Sequence, residues 1–448
     1  MKAGIVKRFT YADKLKSRQY TKMSTSTSLF GPPVQTSTRE YYLMLIVGLA
    51  HAASHYCQIV LMMLASRLST YFDVDMVAIG AVVSVFYITS CIVQAGSGFI
   101  VDKIGARPVM YFGLLFMLLG LVGYAVSSSY WMLFPSAVVL GFGTGIFHPV
   151  DYTLLNNLVS SRRLGLAYSV HGITGNLGWA LTPITVVPIA QMYDSWRAGV
   201  WAAAAIVGAV LLIVLLHYKL IDQYQYKGHK EKKEVVAPVQ GDEVKNTDSA
   251  FAFLKMPVIW MCMFFFFIFA LSNSAIQTFS KDAIQGFFGF EETGAAYCIT
   301  VFMVAACVGM LIGGYLASVP SRSEKIIAVT FSCSATVALI VAFVPLSPIM
   351  VYAMFALMGM FIGVGGPSRD LIVRRATPPE ATGRVFGVVY AGLDIGQAVA
   401  PLVYARFIDS QNYAGMFVVL AVIQMILVVS AFNAGWFSKK QVKAGSSG

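Results

Sequence analysis

Long apolar runs alternate with short polar breaks along almost the whole chain. Residues 41–66, 76–101, 108–150, 164–193, 256–280, 293–321, 326–368 and 411–438 contain no Asp, Glu, Lys or Arg. A helix needs about 20 apolar residues to cross the hydrocarbon core of a bilayer. The two 43-residue runs therefore hold two crossings each, turning at 127–130 and 345–348. With 198–218 and the less pure 383–405, the pattern predicts twelve membrane helices. They lie near 41–66, 76–101, 108–126, 131–157, 165–190, 197–218, 256–280, 293–318, 326–344, 348–374, 383–405 and 412–436.

Composition narrows the class. Charged residues make up 12% of the 448 and hydrophobic residues 57%, against about 25% charged in a typical soluble protein. That is too little polar surface for a soluble enzyme of this length. The six cysteines all fall in predicted spans and form no C-x-x-C pair, so neither a disulfide framework nor a zinc ribbon is expected. The basic first 40 residues lack the apolar core and cleavage site of a signal peptide.

The net charge of +11 would suggest nucleic acid in a soluble protein; here it reports orientation, because Lys and Arg concentrate in cytoplasmic loops. Only Arg67, Arg197, Lys281 and Arg406 fall on the outer side, and Arg369 lies inside span 10. Both termini are therefore expected in the cytoplasm of a multi-pass, bacterial-type inner membrane, with no nucleic-acid partner. The expected organisation is a basic tail at 1–40, a first bundle at 41–218, a polar linker at 219–255, a second bundle at 256–436 and a tail at 437–448. The linker charges read as a solvated segment beside anionic headgroups.

The two halves repeat each other. A shift of 218 residues brings 108–150 onto 326–368 and matches Gly141 with Gly359, Gly145 with Gly363, Pro149 with Pro367, Gly165 with Gly383, Gly178 with Gly396, Ala180 with Ala398 and Pro183 with Pro401. An ordered set of this kind implies a duplicated six-helix unit. Glycines four apart on spans 4 and 10 allow backbones to approach where lipid offers no hydrophobic drive. The prolines interrupt the helical hydrogen-bond ladder and allow bends.

Between spans 2 and 3 stands Gly98-Phe-Ile-Val-Asp102-Lys103-Ile104-Gly105-Ala106-Arg107-Pro108. It resembles the G-x-x-x-D-[RK]-x-G-x-[RK] signature of the major facilitator superfamily at the same loop. Gly98 would permit helix contact, Gly105 would turn the chain, and Asp102 with Arg107 would form a conformational gate. The equivalent loop, Gly314 to Arg322, is a degenerate copy with Ser318 in place of the Asp. The resemblance implies an all-α polytopic membrane protein of twelve transmembrane helices, arranged as two pseudo-symmetric six-helix bundles. Phe147-His148-Pro149 and Gly175-Asn176-Leu-Gly178-Trp-Ala-Leu-Thr-Pro183 are further similar to segments of fosmidomycin-resistance-type drug exporters, whereas the Gly-Pro-x-x-Gly-Gly antiporter motif is absent from span 5.

Polar groups inside a bilayer are costly and mark solute or ion pathways. His51 and His55 lie one turn apart on span 1 with Gln58 beside them; His171 and Asn176 are on span 5, Asn273 and Gln277 on span 7, and Gln397 on span 11. These and Arg369, the one cation deep in a span, are the candidate substrate-binding residues. His148 and Asp151, three apart on span 4, form either a titrating pair or, through Arg369, a gating bridge. Asp394, a lone carboxyl in span 11 at the repeat position of Asn176, is the leading candidate to bind and release a coupling proton, with Asp151 and His148 beside it in that role.

The expected function is secondary active transport by alternating access, as antiporter or symporter, with partners limited to a small organic anionic or zwitterionic solute, protons and lipid, and with the monomer as the working unit. No Walker A sequence is present, and no catalytic residue, cofactor or metal is expected. The alternative is a polytopic membrane enzyme or non-transporting receptor with His51, His55 and His148 as metal or haem ligands.

Overall fold

The computed structural model describes residues 38–160, 163–221, 256–316, 323–376 and 382–445. The chain falls into two compact units, 1–42 and 43–448, and of the first only 38–42 is described, as helix. Among the described residues there is no strand, and twelve helical segments are long and apolar enough to cross a membrane. These are α1 (Thr38–Met63), α2 (Met76–Ile104), α3 (Ala106–Val126), α4 (Tyr130–Leu158), α5 (Leu164–Met192), α6 (Trp196–Leu216), α7 (Pro257–Phe288), α8 (Glu292–Leu316), α9 (Ser323–Phe343), α10 (Pro348–Ala376), α11 (Thr382–Asp409) and α12 (Tyr413–Gly445). The tail predicted at 1–40 and the linker predicted at 219–255 lie almost wholly outside the described residues.

Local chemistry sets the helix ends. The Asp75 carboxylate accepts the Ala78 N–H at 2.7 Å and caps α2. Gly105, at φ 88°, makes the break between α2 and α3 that the loop motif predicts. α4 breaks at Ile146, into Leu133–Gly145 and Phe147–Leu158. Pro149 three residues later explains the break, since a proline ring clashes with the carbonyl four residues before it.

Two boundaries depart from expectation. α7 runs on through a π-helical turn, Ala275–Phe279, to Phe288 rather than ending at 280. The predicted boundary cut it at the first charge, but Lys281 is fully buried and paired with Asp282 and Glu292 at 3.2 and 3.3 Å. Arg369 is therefore not the one cation within a span. α12 likewise continues past 436 to Gly445.

The internal repeat is visible as packing. A Cβ on Gly141 or Gly145 of α4 would meet the carbonyl of Phe86 or Ser90 on α2 at 2.5 Å, and one on Gly359 or Gly363 of α10 would meet the carbonyl of Phe302 or Ala306 on α8. Gly178 approaches Ala52 of α1 as Gly396 approaches Phe267 of α7. Gly98 departs from this pattern: a Cβ there meets open space, so its expected role in helix contact is not realised.

Between the halves, α2 packs on α11 and α5 on α8. Two hydroxyls cross these seams in matching ways, Ser84 to the Ala398 carbonyl at 2.7 Å and Thr300 to the Ala180 carbonyl at 2.8 Å. Ala180 and Ala398 are repeat equivalents. At the end away from both termini, charge ties the halves together. Arg67 donates to Glu292 at 2.8 Å and to Asp194 at 2.9 Å, Lys281 reaches Ser66 at 3.3 Å, and Asp409 accepts the Met76 N–H at 2.9 Å.

Candidate functional site

The titratable residues of the first half converge. α1 stacks His51 and His55 one turn apart, their ring centroids separated by 4.4 Å. α5 lays His171 against His51 at 3.5 Å. The α4 break sets His148 at 5.3 Å from His51 and buries Asp151 completely. Four of the chain's six histidines thus share one centre.

Within it, Asp151 Oδ2 lies 3.2 Å from His171 Nε2 in a hydrogen bond, and 3.0 Å from His51 Nδ1 off the hydrogen-bond line. The carboxylate is thus held by imidazoles of its own half rather than by the bridge to Arg369 expected as an alternative. Gly175 makes the crowding possible, because a Cβ there would come within 3.1 Å of His51 Nε2 and 3.2 Å of His55. His55 rests on Trp179 at 4.2 Å, and Trp179 donates its indole N–H to Gln58 at 2.9 Å.

From His148 the polar chain crosses to the second half. Gln94 on α2 gives its amide N–H to Asp394 on α11 at 3.3 Å, while its carbonyl oxygen stands 3.0 Å from His148 Nδ1. With the carbonyl as acceptor, Nδ1 carries the proton, and neutral His148 keeps a lone pair on Nε2. The expected pair is therefore split: Asp151 takes His51 and His171, and His148 takes Gln94.

Arg369 stands over the rings of Phe269 and Phe266 at 4.4 and 5.0 Å. Phe266 touches Tyr390 at 5.2 Å, and Tyr390 lies 6.2 Å from His148. An aromatic ladder thus joins Arg369 of α10 to the histidine centre. Asn176 donates to the Gly172 carbonyl and, across the halves, to the Met310 sulfur at 3.0 Å. Asn273, just before the α7 π turn, and Gln277, within it, are buried, each with its carbonyl oxygen unpaired, and Gln397 accepts from Ser274. These amides form a second polar group on α7 and α11. Of the gate motif, Gly105 turns the chain and Arg107 lies in the first turn of α3; the Asp102 side chain lies outside the described residues.

Two residues escaped sequence reasoning. Gln94 bridges the halves, and its signal was an uncharged amide in an otherwise apolar run. Lys281 is anchored by Glu292 at the start of the next helix and by Ser66 of the first half. Among the described residues, two groups are close enough to hold a metal: donor atoms of His51, His55 and His148, and of His51, Asp151 and His171, each lie within 4.8 Å of one another.

The sequence profile described as Major Facilitator Superfamily matches residues 44–401 and 284–447. The fosmidomycin resistance protein of Escherichia coli is 24% identical over 60% of this chain and 63% of its own length. The membrane sensor protein UhpC of Escherichia coli is 24% identical over 80% of this chain and 84% of its own. Among solved structures, a bacterial homolog of the human lysosomal transporter Spinster, inward-facing and unoccupied, aligns with 90% of this chain and 97% of its own at a TM-score of 0.67 and 12% identity. The nucleoside transporter NupG aligns with 88% and 99% at 0.68 and 14%.

Proposed function

The chain belongs to the major facilitator superfamily, and from that premise we propose that it is a proton-coupled secondary transporter for a small organic anion or zwitterion, working by alternating access. One observation carries this reading: the unbroken run from Asp394 through Gln94 to His148, which joins a carboxyl of the second half to the histidine centre of the first. A group that titrates across the seam between two moving halves changes the interaction between them, and that is the physical content of coupling. Arg369, set on its aromatic ladder beside the same centre, supplies the positive charge for the solute. With the termini in the cytoplasm, the Arg67 to Glu292 and Asp194 cluster is the closed outer gate, and the solute site opens inward.

The test is flux in proteoliposomes with an imposed pH gradient, using fosmidomycin, the compound in one relative's name, as first probe. Asp394→Asn keeps size and most hydrogen bonding, so it should abolish gradient-driven accumulation while leaving solute exchange. Normal accumulation by a folded Asp394→Asn protein would overturn the coupling role. A receptor, by contrast, would bind its ligand with no flux in either protein.

A further inference from the structure

We propose that His51, His55 and His148 form a binding site for a divalent late-transition-metal ion. Their donor nitrogens, one from each ring, lie within 4.8 Å of one another. A tetrahedral zinc-type ion with bonds of about 2.0–2.1 Å would hold them roughly 3.3 Å apart, so binding would draw the donors together.

The arrangement of protons fits the same ligand. His148 spends its Nδ1 proton on the Gln94 carbonyl at 3.0 Å, which leaves Nε2 as a lone-pair donor. A metal-bound histidine characteristically donates its other N–H to an oxygen in this way. Asp151, fully buried beside His51 with Oδ2 3.0 Å from Nδ1 though off the hydrogen-bond line, places a carboxylate next to a second ligand. His55 is the independent sign. It is buried, and neither of its ring nitrogens has a hydrogen-bond partner among the described residues. A buried imidazole normally satisfies at least one nitrogen. Trp179 on one face and Gly175 beside it hold the ring next to His51 without giving it a partner.

The donor set selects the metal. Three neutral imidazoles suit Zn2+, Co2+, Ni2+ or Cu2+ and not the oxygen-seeking Mg2+ or Ca2+. The other close group, His51 with Asp151 and His171, is partly satisfied by the His171 to Asp151 hydrogen bond at 3.2 Å, so it serves better as the outer layer. Three ligands leave one position for a further donor, the open geometry of reactive rather than structural zinc sites. The proposal rests on the reading of this centre as the transport site, but ion binding is measured at equilibrium and stands or falls apart from proton-driven flux.

The experiment titrates CoCl2, then ZnCl2, into the full-length chain in nanodiscs after chelator treatment and removal of any affinity tag. The expected result is one Co2+ per chain with visible tetrahedral absorption, displaced by Zn2+. His55→Gln and His148→Gln should each weaken binding at least tenfold, while His217→Ala, a helix-end histidine bonded to the Ile213 carbonyl, should bind as before. Because the wild-type spectrum needs no variant to fold, absence of a stoichiometric Co2+ band overturns the proposal by itself. Equal affinity in folded His55→Gln and His148→Gln proteins also overturns it. Metal bound normally by an Asp394→Asn protein that has lost pH-driven flux supports both readings as separate properties of one centre.

Discussion

At the scale of single residues, Gln94 shows how a modest group acquires a large role. An amide both donates and accepts, so between a carboxyl and an imidazole it passes hydrogen-bond order from one half to the other. Gln94→Leu keeps the volume and removes both bonds; pH-driven flux should fall to the level of Asp394→Asn while counterflow exchange survives, and unchanged accumulation would remove Gln94 from the relay. In the proposed function Arg369 acts on the solute side. Arg369→Ala should weaken an anionic solute by about 2–5 kcal/mol, read as Kd by equilibrium binding. Arg369→Lys should not restore it, because a planar guanidinium stacks on Phe266 and Phe269 as an ammonium does not. The histidines and Asp151 were legible in the sequence because an ionisable group in an apolar run stands out. Gln94 was not, since an uncharged amide barely disturbs the hydropathy pattern and its importance lies in which neighbours it meets.

At the scale of elements, the glycines carry opposite signs by position. Gly141→Ala forces a Cβ against the Phe86 carbonyl at 2.5 Å, and overpacking of this kind costs about 1–3 kcal/mol. Gly96→Ala faces open space on the same α2 helix and should stabilise by about 0.4–1 kcal/mol through helix propensity and lost chain entropy. Thermal unfolding of the two variants in detergent should therefore move in opposite directions; a shared sign would contradict the packing account. The ends of α7 and α12 show why charge is an imperfect ruler for helix length. A charge ends a helix's lipid exposure, not the helix itself, and Lys281 stays helical because Asp282 and Glu292 neutralise it inside the protein. Asp282 is its chain neighbour, but Glu292, 11 residues on, and Ser66, 215 residues back, are brought to it by tertiary structure and leave no trace in a local window.

At the scale of the whole molecule, twelve spans and their duplication were readable because lipid forces every backbone group into internal hydrogen bonds, which makes each crossing a long uniform run. Which spans meet was less readable, since lipid-facing and seam-facing apolar residues look alike. Ala180 and Ala398, equivalent in the repeat, mark the two seams, where each accepts a hydroxyl from the opposite half. The distal latch belongs to this scale too. Hydrogen bonds to charged groups contribute about 1.5–3 kcal/mol each, so Arg67→Ala should raise the outer-open population by roughly tenfold or more. Spin labels at 192 and 291, exposed positions on opposite halves near that latch, should then report longer distances, and an unchanged distribution would mean the latch holds nothing shut.

The same pair of labels gives the sharpest test of proton coupling, because a proton that biases two conformations must do so without any solute. In a chain whose six native cysteines are replaced, the distance between labels at 192 and 291 is measured by double electron–electron resonance in nanodiscs across pH 5 to 8, a range of about three units around the working pH of such groups. Asp194, Asp282 and Glu292 at the latch and the histidine centre with Asp151 are present in both proteins compared, so the difference isolates Asp394. The account predicts a pH-dependent shift between closed and open distances in the Asp394 protein that is lost in Asp394→Asn. An identical shift in both, or no shift in either, would contradict it.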